Sequence, residues 1–214
     1  MSTIEITGKI ESQPYITLTK EAIALFGGKP FVSPGKIEVE GDWSNGAFFV
    51  AAQNLGSAVT VSGLSEQSSQ GDRAVVQLLP LLKAGTPTIS AGDIPDLIPI
   101  LSVVAAANNG AVFTDIQRLR LKESDRVAST IAMLSAFGGK AEATEETLTV
   151  YGTGLCGGTV DAANDHRIAM SAAIAATVCT APVTILGAEC VKKSYPNFWE
   201  EYSRLGGKYE LYLR

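Results

Sequence analysis

The 214-residue sequence is poor in the features that mark several classes of protein. Charged side chains make up 18% and the net charge is −5, so the composition argues against nucleic acid as a partner. The cysteines, Cys156, Cys179 and Cys190, have no CxxC spacing, and neither a disulfide framework nor a zinc site is readable. No GxGxxG follows a predicted strand, which excludes a dehydrogenase of the usual dinucleotide-binding type. A sparse, odd set of thiols suits a reducing compartment.

Long apolar runs are also missing. The first twenty residues alternate polar and apolar side chains and contain no signal-peptide core. The run 168–186 lacks charge, but it is rich in Ala, Ser and Thr and is interrupted by Pro182. This pattern favours a helix followed by a strand over a membrane span. We therefore expect a cytoplasmic protein without a membrane partner.

Internal repetition is the main organisational feature of the sequence. Ala-rich apolar segments each precede a β-branched strand and follow a polar patch that can cap a helix. Amphipathic helices alternate with them, and several end at a glycine. The pattern predicts an α/β fold of repeated βαβαββ units, with the Ala-rich helices buried and the amphipathic ones outside. The apolar segments and their strands are 47–58 with 59–61, 97–107 with 112–114, and 168–180 with 183–186; the amphipathic helices are 15–26, 72–83, 124–137 and 196–205.

The repeated units differ in length. A hairpin is predicted at 140–151, with its turn near Glu145 and Glu146, but no equivalent hairpin follows Gly28 or Gly85. Two units therefore lack a hairpin that a third one has. The pattern allows either a real shortening or an omission of residues from the sequence.

Charged and polar side chains of chemical interest cluster at predicted helix starts. Lys122 and Arg126 flank a start at which Ser124 or Asp125 can serve as the N-cap. Free N–H groups and the helix dipole favour an anion at such a place, and two cations strengthen the preference. A solvated charged turn is the alternative interpretation.

Two further helix starts carry titratable groups. His166, the single histidine of the chain, either neighbours a structural cap or exchanges protons, while Arg167 needs a partner or an anionic ligand because it enters an apolar helix. Asp96 is either a first-turn residue stabilised by the dipole or a partly desolvated general base.

The remaining candidates lie at the first amphipathic helix and near the last. Ser12 and Tyr15 offer a hydroxyl and a phenol at the first, and Lys193 precedes the start predicted at Pro196. If the helices run in one direction, all these groups converge on one face. A small substrate with more than one anionic group is the natural ligand.

Three motifs resemble the 5-enolpyruvylshikimate-3-phosphate (EPSP) synthase family: RLKESDR at 120–126, NDHRIAM at 164–170 and KSYP at 193–196. The similarity runs from the first predicted strand, 4–8, to the last and is collinear with the second half of that family. The first two motifs argue against UDP-N-acetylglucosamine enolpyruvyl transferase. The resemblance implies the enolpyruvyl transferase fold, an inside-out α/β barrel.

The same resemblance implies transfer of the enolpyruvyl group of phosphoenolpyruvate to the 5-hydroxyl of shikimate 3-phosphate, with release of phosphate, in the shikimate pathway. The family needs neither a metal nor an organic cofactor. Residues 1–39 would be a shortened remnant of the N-terminal domain, and 40–214 the C-terminal domain. We expect the first half of the enzyme to be missing and turnover by this chain alone to be negligible, because catalysis depends on positioning and water exclusion.

Roles follow by position in the motifs of the family. Asp96 would be the base near the shikimate hydroxyl, and Glu123 the acid/base group beside the enolpyruvyl carbon. The shikimate 3-phosphate ligands would be Ser12, Tyr15, Asp96 and Lys122; the ligands of phosphoenolpyruvate, and of glyphosate, would be Glu123, Arg126, Arg167 and Lys193, with His166 in support.

Two alternatives stay open. Another enzyme of the same fold, such as an RNA 3′-phosphate cyclase, would show a nucleotide preference, which the acidic balance disfavours. A non-catalytic half that binds weakly, or that assembles with a separate first half, would release no phosphate even after that half is added.

Overall fold

A computed structural model describes residues 5, 7, 8, 10, 12–28 and 31–212. The strand predicted at 4–8 includes residues outside this part. From β1 onward the described chain mixes strands and helices as the sequence predicts, but α1, α2 and α3 follow one another with no described strand between them. The helices are α1 Gln13–Leu25, α2 Trp43–Asn54, α3 Val75–Ala84, α4 Ile98–Ala107, α5 Arg126–Ala136, α6 His166–Ala175 and α7 Phe198–Arg204; the strands are β1 Thr88–Ser90, β2 Ala111–Thr114, β3 Lys140–Ala143, β4 Thr147–Tyr151, β5 Gly158–Asp161 and β6 Val183–Leu186.

The strands form two small sheets. The larger has the order β1-β2-β4-β3, with β1 parallel to β2 and the other pairs antiparallel. Strands β5 and β6 pair in parallel. The predicted hairpin at 140–151 is confirmed as β3 and β4, and the strands predicted at 112–114 and 183–186 are confirmed as β2 and β6.

The prediction of a strand at 59–61 is wrong. These residues follow α2 without regular structure, and Val59 and Val61 pack against the core only in part. A strand needs a neighbour for its N–H and C=O groups, and the described part of the chain pairs no strand with this segment.

The centre of the fold is helical. Helices α2, α4 and α6 contact one another. Every residue of α6 is buried, and in α4 all but the last. The prediction of buried Ala-rich helices is therefore confirmed for α4 and α6, whereas α2 is buried along one side only, at six of its twelve residues. In contrast, α1 has no buried residue.

Aspartates begin three of the helices. Asp42 accepts from the backbone N–H of Ser44, Asp125 from that of Val127 and Asp165 from that of Arg167, at 2.8, 3.0 and 2.9 Å. Each bond satisfies one of the N–H groups that a helix start leaves free. Of the two caps considered for α5, the structure uses Asp125.

Asp96, which the sequence allows as a first-turn residue of α4, precedes that helix. The N–H of Leu97 donates to the carbonyl of Ile94 at 3.0 Å and closes a turn that contains Pro95 and Asp96. The helix starts at Ile98, with Pro99 next to it. Asp96 therefore lies on irregular backbone just outside the helix. None of the helices in the described ranges is long and apolar enough to cross a membrane.

Candidate anion-binding site

Asp96 lies where the starts of several helices meet. Its Oδ1 is 2.6 Å from Arg126 Nη1 and 3.4 Å from Lys122 Nζ, and its Oδ2 is 3.3 Å from Arg167 Nη2. The Tyr15 hydroxyl donates to the same Oδ2 over 3.3 Å. Burial raises the pKa of Asp96, but the surrounding cations outweigh it and hold this pKa far below its usual range. Asp96 is therefore an ionised acceptor in the ligand-free site.

Arg126 is enclosed by carboxylates. It is the first residue of α5, and its side chain is 1% exposed. Nη2 lies 2.6 Å from Glu123 Oε2, and Nε lies 2.8 Å from Asp165 Oδ2. Burial lowers the pKa of Arg126, yet Asp165 and Asp96 together raise it above the usual value, so the guanidinium stays charged.

Asp165 ties α5 to α6. Its side chain is fully buried. Besides Arg126, it accepts from the Ser124 hydroxyl at 3.1 Å and from the backbone of Arg167. Burial raises the pKa of Asp165, but the hydrogen bond and the charge of Arg126, together with the bonds from the Arg167 backbone and Ser124, outweigh burial and lower this pKa below its usual value. The sequence indicates only a polar patch that can cap a helix at this place, and the contact of Asp165 with Arg126 is visible only in the structure. The position of Asp165 in the NDHR motif is the signal that could have pointed to it.

Arg167 has spare donors. One end of its guanidinium reaches Asp96, while Nε and Nη1 are buried without a hydrogen-bond partner. The guanidinium carbon lies 5.9 Å from the centre of the Phe48 ring. Buried donors are normally satisfied, so these two are suited to an anionic ligand. Beside them, His166 Nδ1 is buried and unpartnered, and burial together with Arg167 lowers the pKa of the ring.

Two predicted ligands lie away from Asp96. The Ser12 hydroxyl accepts from Arg118, and Lys193 Nζ donates to the carbonyl of Asn164 at 2.6 Å. Lys193 is thus next to the α6 cap rather than on the central carboxylate. The other predicted ligands come together around Asp96 and Arg126; they are Tyr15, Lys122, Glu123, Arg167 and, beside Arg167, His166.

Asp72 is a buried acid that the sequence analysis missed. It is 4% exposed, accepts from the Ser44 hydroxyl and has an unpartnered Oδ1. Burial raises its pKa to about 6. With Tyr15 and Ser44 it lines a cavity of about 390 Å³ between α1 and the start of α2. Asp72 lies just before α3, and spacing gave no signal for its role.

The fold and the site define a class: an α/β protein in which the starts of several helices place cationic side chains around one carboxylate. No cluster of potential metal ligands is present in the described residues. A profile of the family described as EPSP synthase (3-phosphoshikimate 1-carboxyvinyltransferase) matches residues 83–202, more than half of the chain. The chain belongs to the EPSP synthase family.

Individual proteins of the same family are similar to this chain. The 3-phosphoshikimate 1-carboxyvinyltransferase of Clostridium kluyveri is 35% identical over 240 aligned residues, covering 97% of this chain and 56% of the relative. That of Clostridium acetobutylicum is 38% identical over 236, covering 96% and 55%. An EPSP synthase structure from Acinetobacter baumannii has a TM-score of 0.69 at 25% identity, covering 83% of this chain and 50% of that one.

The alignments also compare the length of this chain with that of its relatives. The chain spans about half the length of the curated relatives it matches. The stretch aligned with the C. kluyveri protein, 240 residues, is longer than the 214 residues of this chain, so that relative carries internal segments that this chain lacks.

Proposed function

We propose that this chain forms the C-terminal part of an EPSP synthase active site. The reaction is transfer of the enolpyruvyl group of phosphoenolpyruvate to the 5-hydroxyl of shikimate 3-phosphate, with release of phosphate. The observation that carries the proposal is the convergence of Lys122, Arg126 and Arg167 on Asp96. Both substrates carry phosphate, and fixed cations in a partly buried site stabilise phosphate and carboxylate charge.

The chemistry requires a base and an acid. Asp96 takes the proton of the attacking hydroxyl, and Glu123 exchanges a proton with the enolpyruvyl carbon, so that the adduct forms and phosphate then leaves. Arg167 offers unpartnered donors to an incoming anion. The remaining roles divide between the substrates: Ser12, Tyr15 and Lys122, with Asp96, hold shikimate 3-phosphate, while Arg126, Arg167 and Lys193, with Glu123 and the support of His166, hold phosphoenolpyruvate.

The partner in this proposal is the rest of the enzyme. Residues 1–39 form a remnant of the N-terminal domain and 40–214 the C-terminal domain. Exposed apolar side chains between Ile23 and Val39 support this division, since α1 buries none of its own residues. A polypeptide carrying the other half of the relatives would cover them. Without it, the chain turns over little, because half of the substrate contacts and the closure that excludes water are absent. A reducing, cytoplasmic compartment suits its unpaired thiols.

The test has two stages. In an NMR titration of this chain with shikimate 3-phosphate and then phosphoenolpyruvate, we expect shifts at Tyr15, Lys122 and Arg167, and none with UDP-N-acetylglucosamine. In the second stage, the separately produced N-terminal half of the C. kluyveri relative is added and phosphate release is measured. Release that requires both polypeptides supports the enzyme. Specific shifts without release would favour a non-catalytic binding or assembly fragment, for which the half-length match is the supporting observation.

A further inference from the structure

We propose that Asp96 and Glu123 serve, before they act in the reaction, as resident counter-ions of Arg126 that an anionic ligand must displace. This inference rests on the proposed function only for the identity of the natural ligand. It assigns to the two acid/base groups a second role: they compete with the substrate for the same guanidinium.

The contacts of Arg126 leave no free edge for a ligand. Nη1 is 2.6 Å from Asp96 and Nη2 is 2.6 Å from Glu123, while Nε is 2.8 Å from Asp165. With the side chain only 1% exposed, an anion can reach this guanidinium only if a carboxylate moves.

The three carboxylates differ in how easily they can leave. Asp165 is wholly buried and also caps α6, so moving it would break the start of that helix. Glu123 is 39% exposed and Asp96 is 16% exposed, and both lie on irregular backbone before a helix. Water can solvate either of these carboxylates after a short side-chain movement. Displacement is therefore confined to the outer edge of Arg126, and the bond to Asp165 persists.

Displacement also makes the two carboxylates available for proton transfer, Asp96 as the base and Glu123 as the acid/base group. While Asp96 is held by Arg126, Lys122 and Arg167, its oxygens accept from cations rather than from a substrate hydroxyl. A phosphoryl dianion carries more charge than a carboxylate and binds these cations more strongly at equal distance. Anion binding then frees Asp96 and Glu123 together, so the acid and the base become available only when the site is loaded.

The test uses sulfate as a probe, since it stays a dianion and cannot react. Glu123→Gln keeps the shape of the side chain but removes the competing charge. We expect it to tighten sulfate binding about tenfold, because a hydrogen bond to a charged group contributes roughly that much. Asp125→Asn is the matched control: it removes the charge of a carboxylate two positions along the chain that pairs with Arg120 instead of Arg126, it keeps an oxygen that can cap α5, and it should change the affinity less than about twofold.

A second measurement follows the carboxylates themselves. With ¹³C-labelled protein, saturating sulfate should shift the side-chain carboxyl signals of Glu123 and Asp96, while the Arg126 Nε–H signal stays in place because its partner Asp165 does not leave. Equal tightening in both variants would show a general charge effect and overturn the proposal. Weaker binding in the Glu123 variant, or unmoved carboxyl signals in the saturated wild-type protein, would do the same.

This experiment separates the two proposals. If the substrates of the enolpyruvyl reaction do not bind but sulfate displaces the carboxylates, the proposed function fails and the counter-ion role stands. If the substrates bind and the carboxylates never leave Arg126, the reverse holds. The Glu123 side chain lies at the surface, so its variant retains the fold and the test can be completed.

Discussion

Arg126 and Asp165 form an ion pair from which water is excluded: Nε lies 2.8 Å from Oδ2, and the side chains are 1% and 0% exposed. One residue opens α5 and the other caps α6. The pair therefore fixes the starts of two helices that carry most of the cationic site, and it links segments 39 residues apart in the chain.

The first prediction concerns this pair. Asp165→Asn leaves an amide that can still cap α6, but it removes the charge that balances Arg126 in the interior. Breaking a buried pair in this way costs roughly 3–5 kcal/mol. The control is Asp125→Asn, which alters the cap of α5 and a pair that is largely exposed; it should cost less than about 1 kcal/mol. Urea unfolding of both variants measures the difference, and equal losses would contradict the role given to burial.

Asp72 predicts a pH dependence of stability. Its pKa is raised by burial from 3.8 to about 6, so the folded chain holds a proton that the unfolded chain has lost between these pH values. Stability from this group is therefore present below about pH 4 and is lost as pH rises through 6. The wild-type protein should lose on the order of 3 kcal/mol between about pH 4 and 8 through this residue.

Asp72→Asn should abolish that component. The measurement is the free energy of unfolding of both proteins at several pH values, compared as a difference so that shared titrations cancel. Ser44→Ala provides a second arm: the Ser44 hydroxyl lowers the pKa of Asp72, so its removal should enlarge the pH dependence. Parallel curves for wild type and Asp72→Asn would contradict the prediction.

A substitution of Tyr15 tests the proposed contact with shikimate 3-phosphate. If the proposed function holds, Tyr15→Phe should weaken shikimate 3-phosphate binding about threefold to tenfold through the loss of one hydroxyl. Stability should change by less than about 0.5 kcal/mol, because the side chain is 40% exposed and belongs to a helix with no buried residue. Tyr151→Phe, which loses a hydroxyl bond to Glu142 in the β3–β4 hairpin, is the control and should bind normally. Calorimetric titration gives both affinities.

Gly110 lies at a position where the fold leaves no room for a side chain. It has φ +85°, and an added Cβ would lie 2.5 Å from the carbonyl oxygen of Val150 on β4. Gly154 has a similar φ of +75° with open space around it. Gly154→Ala should cost about 1 kcal/mol for the left-handed backbone alone, and Gly110→Ala about 3 kcal/mol or more, because backbone must also move. Thermal unfolding of the two variants separates the cost of the left-handed backbone from the cost of the steric clash between the new Cβ and the backbone of β4.

The sequence predicted the parts of the molecule that local pattern determines. Ala-rich composition identified α4 and α6. Helix-start motifs singled out Lys122, Arg126 and Arg167, which the structure brings together around Asp96, and their role as ligands of an anion stays a prediction. Sequence pattern did not predict features that depend on residues far away in the chain, such as strand pairing and ion pairs between helices. The segment 59–61 has strand composition, but no strand within the described residues pairs with it. The enclosure of Arg126 could not be predicted either, since no spacing rule pairs it with a residue on another helix.

Helix α1 carries Tyr15 to the site without being part of the core. Hydrogen bonds to the loop before α4 hold its first turn: Ser12 N–H to the Gly92 carbonyl at 3.3 Å, and Gln13 N–H to Asp93 Oδ1 at 3.0 Å. Because none of its residues is buried, we expect its amide hydrogens to exchange through local opening long before those of α4. A ligand that bonds to Tyr15 therefore also orders a helix, and its affinity includes the conformational entropy lost there.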